Sequence, residues 1–364
     1  MRIGKLTQDG YSNYGNVLQN YALQKVLNDY GDVDSLWHSS DNFFVQNWYK
    51  YDLKTFVKFL LNWNNIRTLT LSDYHGMEMV RQGKIKDWCD RHINVVNVTG
   101  RLSDIKNDYD FFVVGSDQVW NPYYAGLEDC FLTFAPPQKR ISYAASISCS
   151  EVPSKLINLY KKSFDEFAHI SMREQQGVDM VKSLSGRDVP MVVDPTMLLS
   201  PDEWRKVSRP PAWYHGGDYI LTYFLGKRPK VLVDLEQETG VKVVNLLDKD
   251  IYEHYVMGPD EFIWVIEHAK LLYTDSFHGT VFSILFRTPF VVCNRIGSEI
   301  EEKMGSRIDT LLDYFGLESR RGTEDNDYLI DNPLMEPDWS KVDVVLAREH
   351  ARADDYLKKA LNIV

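Results

Sequence analysis

In Thr274-Asp275-Ser276-Phe277-His278-Gly279-Thr280 a histidine stands where an apolar run, Leu271 to Thr274, gives way to a helix-forming run, Val281 to Phe286. Backbone N–H groups at a helix start, with Gly279 removing side-chain bulk, favour an anion such as a phosphate. An imidazole with an ordinary pKa of about 6.5 can give or take a proton at neutral pH. At that junction His278 is either an acid or base aimed at the anion or a residue that only caps the turn. Three further stretches have the same look. Asn13-Tyr14-Gly15-Asn16 lies between the first apolar run and the first helical one. Gly115-Ser116-Asp117-Gln118-Val119-Trp120-Asn121 follows the apolar run Asp110 to Val114 and would put Asp117 and Trp120 at a cleft mouth. Arg173 ends another apolar run, where its guanidinium could fork onto a ligand carboxylate or phosphate, or pair with Glu174 instead.

The elements that must position these residues alternate. Arg2 to Leu6 reads as a strand and Val17 to Tyr30 as a helix, with Leu18, Ala22, Leu23, Val26 and Leu27 on one face and Gly31 as its stop. Asp110 to Val114, Arg140 to Ile147, His169 to Met172 and Pro190 to Val193 are continuous apolar runs, suited to strands buried on both faces of a parallel sheet. After the Pro- and Gly-rich stretch 209–217 the alternation restarts. Tyr219 to Leu225, Lys242 to Leu246, Leu271 to Thr274 and Phe290 to Cys293 read as strands; Lys230 to Thr239 and Pro259 to Lys270 read as helices. Ser340 to Leu361 reads as a closing helix with Ser340 and Asp343 as a capping box. The expected architecture is α/β, two Rossmann-like doubly wound domains facing a cleft. The division is 1–208, a linker at 209–217, a second domain at 218–330 and a C-terminal extension at 331–364. A helical insertion is expected at about 40–100. In it Phe43, Phe44, Trp48, Tyr49, Tyr51, Phe56, Phe59 and Trp63 are interleaved with Lys50, Lys54, Lys58 and Arg67. This is a helix pair on the sheet with snorkelling lysines, or a face that rests on lipid headgroups or a lipid-linked glycan; the first reading is favoured.

Composition narrows the partners. Lys plus Arg number 41 against 52 Asp plus Glu, a formal charge of -11, and no basic stripe accompanies it, which argues against nucleic acid. Aromatic residues make up 13% of the chain, which suits either a large core or a surface that meets sugars. Cys89, Cys130, Cys149 and Cys293 are scattered, with no ligand spacing for a metal, and read as buried thiols in a reducing compartment. The apolar stretch at the N-terminus is too short for a signal peptide, and no run approaches the roughly 18 apolar residues of a membrane span. A cytoplasmic location, or the inner face of the membrane, is expected.

Taken together, Asn13-Tyr14-Gly15-Asn16, Val114 to Asn121, Ser171-Met172-Arg173-Glu174, Val193-Asp194-Pro195-Thr196 and Thr274 to Gly279 resemble the polysaccharide pyruvyl transferase family, in order and over residues 1 to about 320. The resemblance implies a GT-B-like fold, phosphoenolpyruvate as donor with no resident cofactor or metal, and a pyruvate ketal on a glycan as product. The acceptor would be a free or lipid-linked oligosaccharide in capsule, exopolysaccharide or cell-wall glycan assembly. It implies His278 as the acid that protonates the donor's methylene carbon, and Asp117 as acceptor-side base or sugar contact. Arg173 matches a donor arginine, with Ser276, Phe277 and the N–H groups of Gly279 and Thr280 around the donor. Asn13, Tyr14, Gly15, Asn16, Gln118 and Trp120 fall on the acceptor side. One position departs from the family: the Arg of a Ser-x-Arg-Leu-His pattern is Ser276 here. Lys227, Arg295 and Arg307 are candidates to replace its charge. Two other readings stay open. One is a nucleotide-sugar glycosyltransferase, for which Glu253 and Glu261 have a suggestive spacing but the wrong place. The other is an inactive glycan-binding homologue.

Overall fold

The structure is a computed structural model that describes residues 1–8, 10–38, 74–124, 126–229, 232, 235–296, 306–323 and 330–363. The aromatic and basic stretch from Phe43 to Arg67 lies outside the described residues.

Apolar runs too short and too continuous for amphipathic helices become two all-parallel sheets. The first holds β1 (Arg2–Leu6), β2 (Asp32–Trp37), β3 (Val95–Asn97), β4 (Phe111–Asp117) and β5 (Arg140–Ala145), in the order β3-β2-β1-β4-β5. The second holds β6 (Tyr219–Tyr223), β7 (Lys242–Asn245), β8 (Leu271–Thr274), β9 (Phe290–Cys293) and β10 (Arg321–Gly322), in the order β10-β9-β8-β6-β7. Every pairing is parallel, with register such as Ile3↔Phe111 and Leu272↔Phe290. Each sheet is Rossmann-like in strand order, and segments at the carboxyl ends of their strands meet, with His278 after β8 lying against Gly15 and Asp194 of the first half. That is where such sheets place ligands.

Local chemistry moves several boundaries from their expected places. The first helix runs Tyr14–Leu27, three residues early, because the Asn13 Oδ1 accepts the N–H groups of Gly15 (2.9 Å) and Asn16 (3.4 Å). Asparagine is among the best residues for that cap. Likewise the helix expected at Val281 begins at Phe277, since Ser276 caps it. Residues 95–97 are not part of an insertion; they form edge strand β3, reached through the helix Tyr74–His92. His169 to Met172 and Pro190 to Val193 make only single bridges, Ile141↔His169, Ala145↔Met172 and Met172↔Met191. There the Ser142 and Ser171 hydroxyls take over ladder hydrogen bonds, for example Ala144 N to Ser171 Oγ at 3.1 Å and Ser171 N to Ser142 Oγ at 3.1 Å. The last helix is Val342–Ala360 and has no side-chain cap at its start; Asp343 pairs with Arg287 instead of closing a box with Ser340.

One apolar core runs through both domains. Val17, Leu18, Tyr21 and Trp88 of the first pack with Phe262, Phe282 and Leu285 of the second. The closing helix spans both: Val342 and Val345 join that shared core, while Ala353, Leu357 and Ala360 pack under the first sheet with Ile3, Leu23 and Ile141. Tyr30 and Tyr356 fasten it, donating to Asp354 Oδ1 and Ser142 O at 2.6 Å each. No helix among the described residues is long and apolar enough to cross a membrane. Truncating Leu357, which is fully buried, to Ala is expected to cost about 2–5 kcal/mol, read from denaturant unfolding; a loss below about 0.5 kcal/mol would mean that this helix does not hold the first sheet.

Candidate functional site

The site is built where three carboxyl-end loops of the first sheet meet the start of the Phe277–Phe286 helix of the second. At the end of β4, Gly115 has φ 129 and a Cβ there would lie 2.1 Å from Tyr143 O, so only glycine fits. Asp117 follows with φ 66, a conformation that Asp tolerates better than most residues. Arg173 leaves the Met172 bridge and is anchored by its own N–H on Ala145 O at 3.1 Å. Asp194 caps the short Pro195–Leu198 turn, its Oδ1 accepting from Thr196 N (3.1 Å) and Thr196 Oγ1 (2.7 Å).

These side chains converge out of water. Asp194 Oδ2 accepts from Arg173 Nη1 at 2.8 Å and from Ser116 Oγ at 3.2 Å, and it faces His278 Nε2 at 3.5 Å. Arg173 Nη2 donates to Asp117 Oδ1 at 3.1 Å, while its Nε stands 3.8 Å from Glu174. Glu174 Oε1 in turn accepts from Ser146 Oγ (2.8 Å) and Ile147 N (3.2 Å). The Arg173 guanidinium also lies 4.6 Å from the centre of the Phe277 ring. Burial alone would raise the Asp194 carboxyl, but His278, Arg173 and the Thr196 hydroxyl hold it well below its ordinary 3.8. Burial would raise Asp117 too; Arg173, His278 and Arg307 outweigh it and bring it below the ordinary value. For Arg173 burial works downward, and Asp117, Asp194 and Glu174 reverse it. All three are therefore charged at neutral pH.

His278 is fixed from its other side as well. A Cβ at Gly15 would sit 2.1 Å from His278 Nδ1, so the first helix can approach the imidazole only with glycine there. The histidine of one domain is clamped between Asp194 and Gly15 of the other.

The structure brings His278, Asp117, Arg173, Phe277, Gly15 and Arg307 together, and corrects several expected roles. Trp120 is not a sugar platform: it is fully buried, donates Nε1–H to Cys130 O at 3.0 Å and packs on Phe131, Phe164 and Phe167. Tyr14 is no acceptor contact either, being buried and stacked on Phe262 with its hydroxyl on Met257 O at 2.9 Å. The N–H groups of Gly279 and Thr280 do not await an anion. They donate to Ser276 Oγ (3.2 Å) and Ser276 O (3.0 Å), because the cap begins the helix earlier than its apolar run suggests. Ser276 is thus the cap. Asn13 caps the facing helix, Asn16 lies half-buried in its first turn, and Gln118 braces Asn121 and Tyr124 (3.1 and 3.2 Å). Lys227 is exposed, its N–H tied to Ile296 O at 2.9 Å, and Arg295 leans on Asp275 at 3.5 Å. Glu261 is occupied by Gly258 N (2.8 Å) and Lys84 (3.1 Å). Asp194, the residue that joins the site, had no role assigned from sequence; its signal was an Asp-Pro-Thr turn. Among the described residues no group of three His, Cys, Asp or Glu could hold a metal ion.

A family model described as polysaccharide pyruvyl transferase matches residues 13–296. No curated protein matches the chain. Among solved structures, HepE of Anabaena, determined with UDP and glucose, is similar over the whole of both chains at 11% identity and a TM-score of 0.47. The UDP-GlcNAc 2-epimerase of Neisseria meningitidis, bound to UDP-GlcNAc, is similar over 96% of this chain and 100% of its own, at 10% identity and a TM-score of 0.41. A functionally uncharacterised protein of Klebsiella pneumoniae is similar over 68% of this chain and 87% of its own, at 13% identity and a TM-score of 0.39.

Two outcomes follow from this geometry. Since Asp194 and Asp117 have lowered values in the fold, their contribution is complete above the ordinary 3.8 and is lost as pH falls through the folded values. Asp194→Asn should flatten the acid limb of a stability–pH curve and, by leaving Arg173 short of a partner, cost about 3–5 kcal/mol at pH 7. An unchanged acid limb in denaturant unfolding would show that the network does not carry these charges. Gly15→Ala should lower the melting midpoint, although alanine in a helix otherwise gains about 0.5–1 kcal/mol over glycine; a rise would contradict the clamp on His278.

Proposed function

Because this chain belongs to the polysaccharide pyruvyl transferase family, we propose that it transfers the pyruvyl group of phosphoenolpyruvate to two hydroxyls of a glycan sugar, releasing phosphate and leaving a cyclic ketal. The observation that carries this reading is the Asp194–His278 contact, an imidazole held 3.5 Å from a buried carboxylate at the mouth of both sheets.

Phosphoenolpyruvate is an enol phosphate. Protonation of its methylene carbon leaves positive character at C2, and a sugar hydroxyl attacks there and gives up its proton. The C2–O bond to phosphate then breaks with its electron pair, and the second hydroxyl closes the ring as it loses its own proton. One proton enters at C3, two leave from the hydroxyls and inorganic phosphate departs. The imidazolium form of His278 supplies the first proton. Asp194 faces the ring's Nε2 at 3.5 Å, with no hydrogen bond between them. Asp117, ionised and paired with Arg173, accepts a hydrogen bond or the proton of the attacking hydroxyl. Arg173 braces both carboxylates; with two N–H groups already given to Asp117 and Asp194, its part is to hold the acid and base in place. The donor's own charges call for another cation.

With phosphoenolpyruvate and a panel of glycan acceptors, His278→Ala is expected to lower phosphate release by about 10²- to 10⁴-fold while the melting midpoint stays close to that of the parent. A donor at 100 times its Kd adds about 2.7 kcal/mol of stability, so a thermal shift with phosphoenolpyruvate beside UDP-, GDP- and CMP-sugars tests the donor. Stabilisation by a nucleotide sugar and not by phosphoenolpyruvate overturns the reading in favour of a glycosyltransferase. Binding of phosphoenolpyruvate without phosphate release on any acceptor points to the inactive homologue.

A further inference from the structure

Arg307 is a buried guanidinium with no ion-pair partner among the described residues. It is the second residue of the Ser306–Phe315 helix and is 7% exposed. Among the described residues no hydrogen bond or ion pair reaches it, and its buried Nε has no partner. Its neighbours make matters worse. Arg173, already an ion-pair partner of Asp117 and Asp194, shares the Phe277 ring with it, the two guanidinium centres lying 4.6 and 5.8 Å from the ring centre. Burial, then Arg173 and Arg295, push Arg307 down to about 10, against only partial help from Asp117 and Glu174. It stays charged at neutral pH, and a buried charge left unpaired is costly.

The side chain borders a small cavity. Arg307, Arg173, Asp194, Phe277, Thr310 and Tyr314 line it, with apolar residues filling the remainder. Its volume is about 30 Å³, room for roughly two water-sized groups, which is what the two oxygens of a carboxylate require. A phosphoryl group, with three outer oxygens, is larger. Tyr314 has its hydroxyl on Glu349 at 3.0 Å, so the far wall is fixed.

We propose that Arg307 is the seat of a substrate carboxylate, gripping it through the guanidinium fork in the cavity beside Phe277. For which molecule brings the carboxylate, this rests on the phosphoenolpyruvate reading; for the carboxylate itself it rests on Arg307. Asp194, which faces His278 Nε2 at 3.5 Å, lines the same cavity, so a carboxylate seated there lies within a few ångströms of that pair. A planar fork matches a carboxylate in a way that a lysine ammonium does not.

The test is a thermal-shift and calorimetric titration with pyruvate, inorganic phosphate and phosphoenolpyruvate on the parent chain, Arg307→Met and Arg307→Lys. Pyruvate and phosphoenolpyruvate should stabilise the parent, and inorganic phosphate should not. Arg307→Met should lose the pyruvate response yet melt at or above the parent without ligand, because the unpaired charge is gone. Arg307→Lys, which keeps the charge and folds on the same terms, should bind pyruvate about tenfold more weakly, the equivalent of one charge-assisted hydrogen bond. Equal pyruvate affinity in either variant, or a response to phosphate alone, overturns the carboxylate seat. Phosphoenolpyruvate bound equally well with and without Arg307 overturns the seat and leaves the donor reading standing. Arg307-dependent pyruvate binding with no tighter binding of phosphoenolpyruvate supports the seat and overturns the donor reading.

Discussion

The site depends on one oxygen atom. Asp194 Oδ2 takes the Arg173 and Ser116 donors and faces His278, all in a place closed to solvent. Ser116 and Arg173 belong to the first domain, His278 to the second, so a single carboxylate couples the positions of both. Buried charges of this kind contribute little net stability, because desolvation consumes most of the Coulombic gain. Their effect is on geometry. With Arg173 bound by Asp194 on one nitrogen and by Asp117 on another, neither carboxylate can turn away without leaving a buried N–H group of the guanidinium without its partner.

Keeping that oxygen near His278 requires the domains to stay in register, and the packing provides it. Tyr14 reaches across to Met257 and Phe262 one residue before Gly15 admits the imidazole. Helix Tyr74–His92 adds Glu78 to Tyr255 (2.7 Å) and Lys84 to Glu261 (3.1 Å), with the Arg81 guanidinium 5.6 and 5.7 Å from the rings of Tyr14 and Tyr255. The closing helix then ties its first turn to the shared core and its last to the first sheet. Residues that look like ligand contacts in the first loop are the hinge pins of this assembly.

How much of this was legible follows from which interactions are local. β4, β8 and β9 announced themselves as apolar runs, since parallel strands buried on both faces have nothing polar to alternate with. The caps on Asn13 and Ser276 were local too, yet they looked like loop residues because an N-cap and a turn favour the same side chains. Trp120 misled for a different reason: an aromatic ring serves a core as readily as a sugar, and only its neighbours decide. Asp194 was the least legible. Its partners lie 21 and 78 positions away, so its Asp-Pro-Thr turn gave the backbone shape and nothing of the charge cluster. His278 was legible as a residue at a junction, whereas its clamp between Asp194 and Gly15 was not.

The same logic bears on Ser276. A residue at an N-cap earns its place through its side-chain acceptor, and Ser276 meets that need on Gly279; an arginine there would leave the helix start without a cap. A cation brought from elsewhere does not conflict with the cap. Arg307 arrives from the helix after β9, on a separate element, and approaches the ring of Phe277, the residue next to the cap. Under the proposed carboxylate seat, the fold separates two tasks, starting the helix that carries His278 and neutralising charge beside it, onto two chain segments. Each can then hold its residue in the geometry the other would have disturbed.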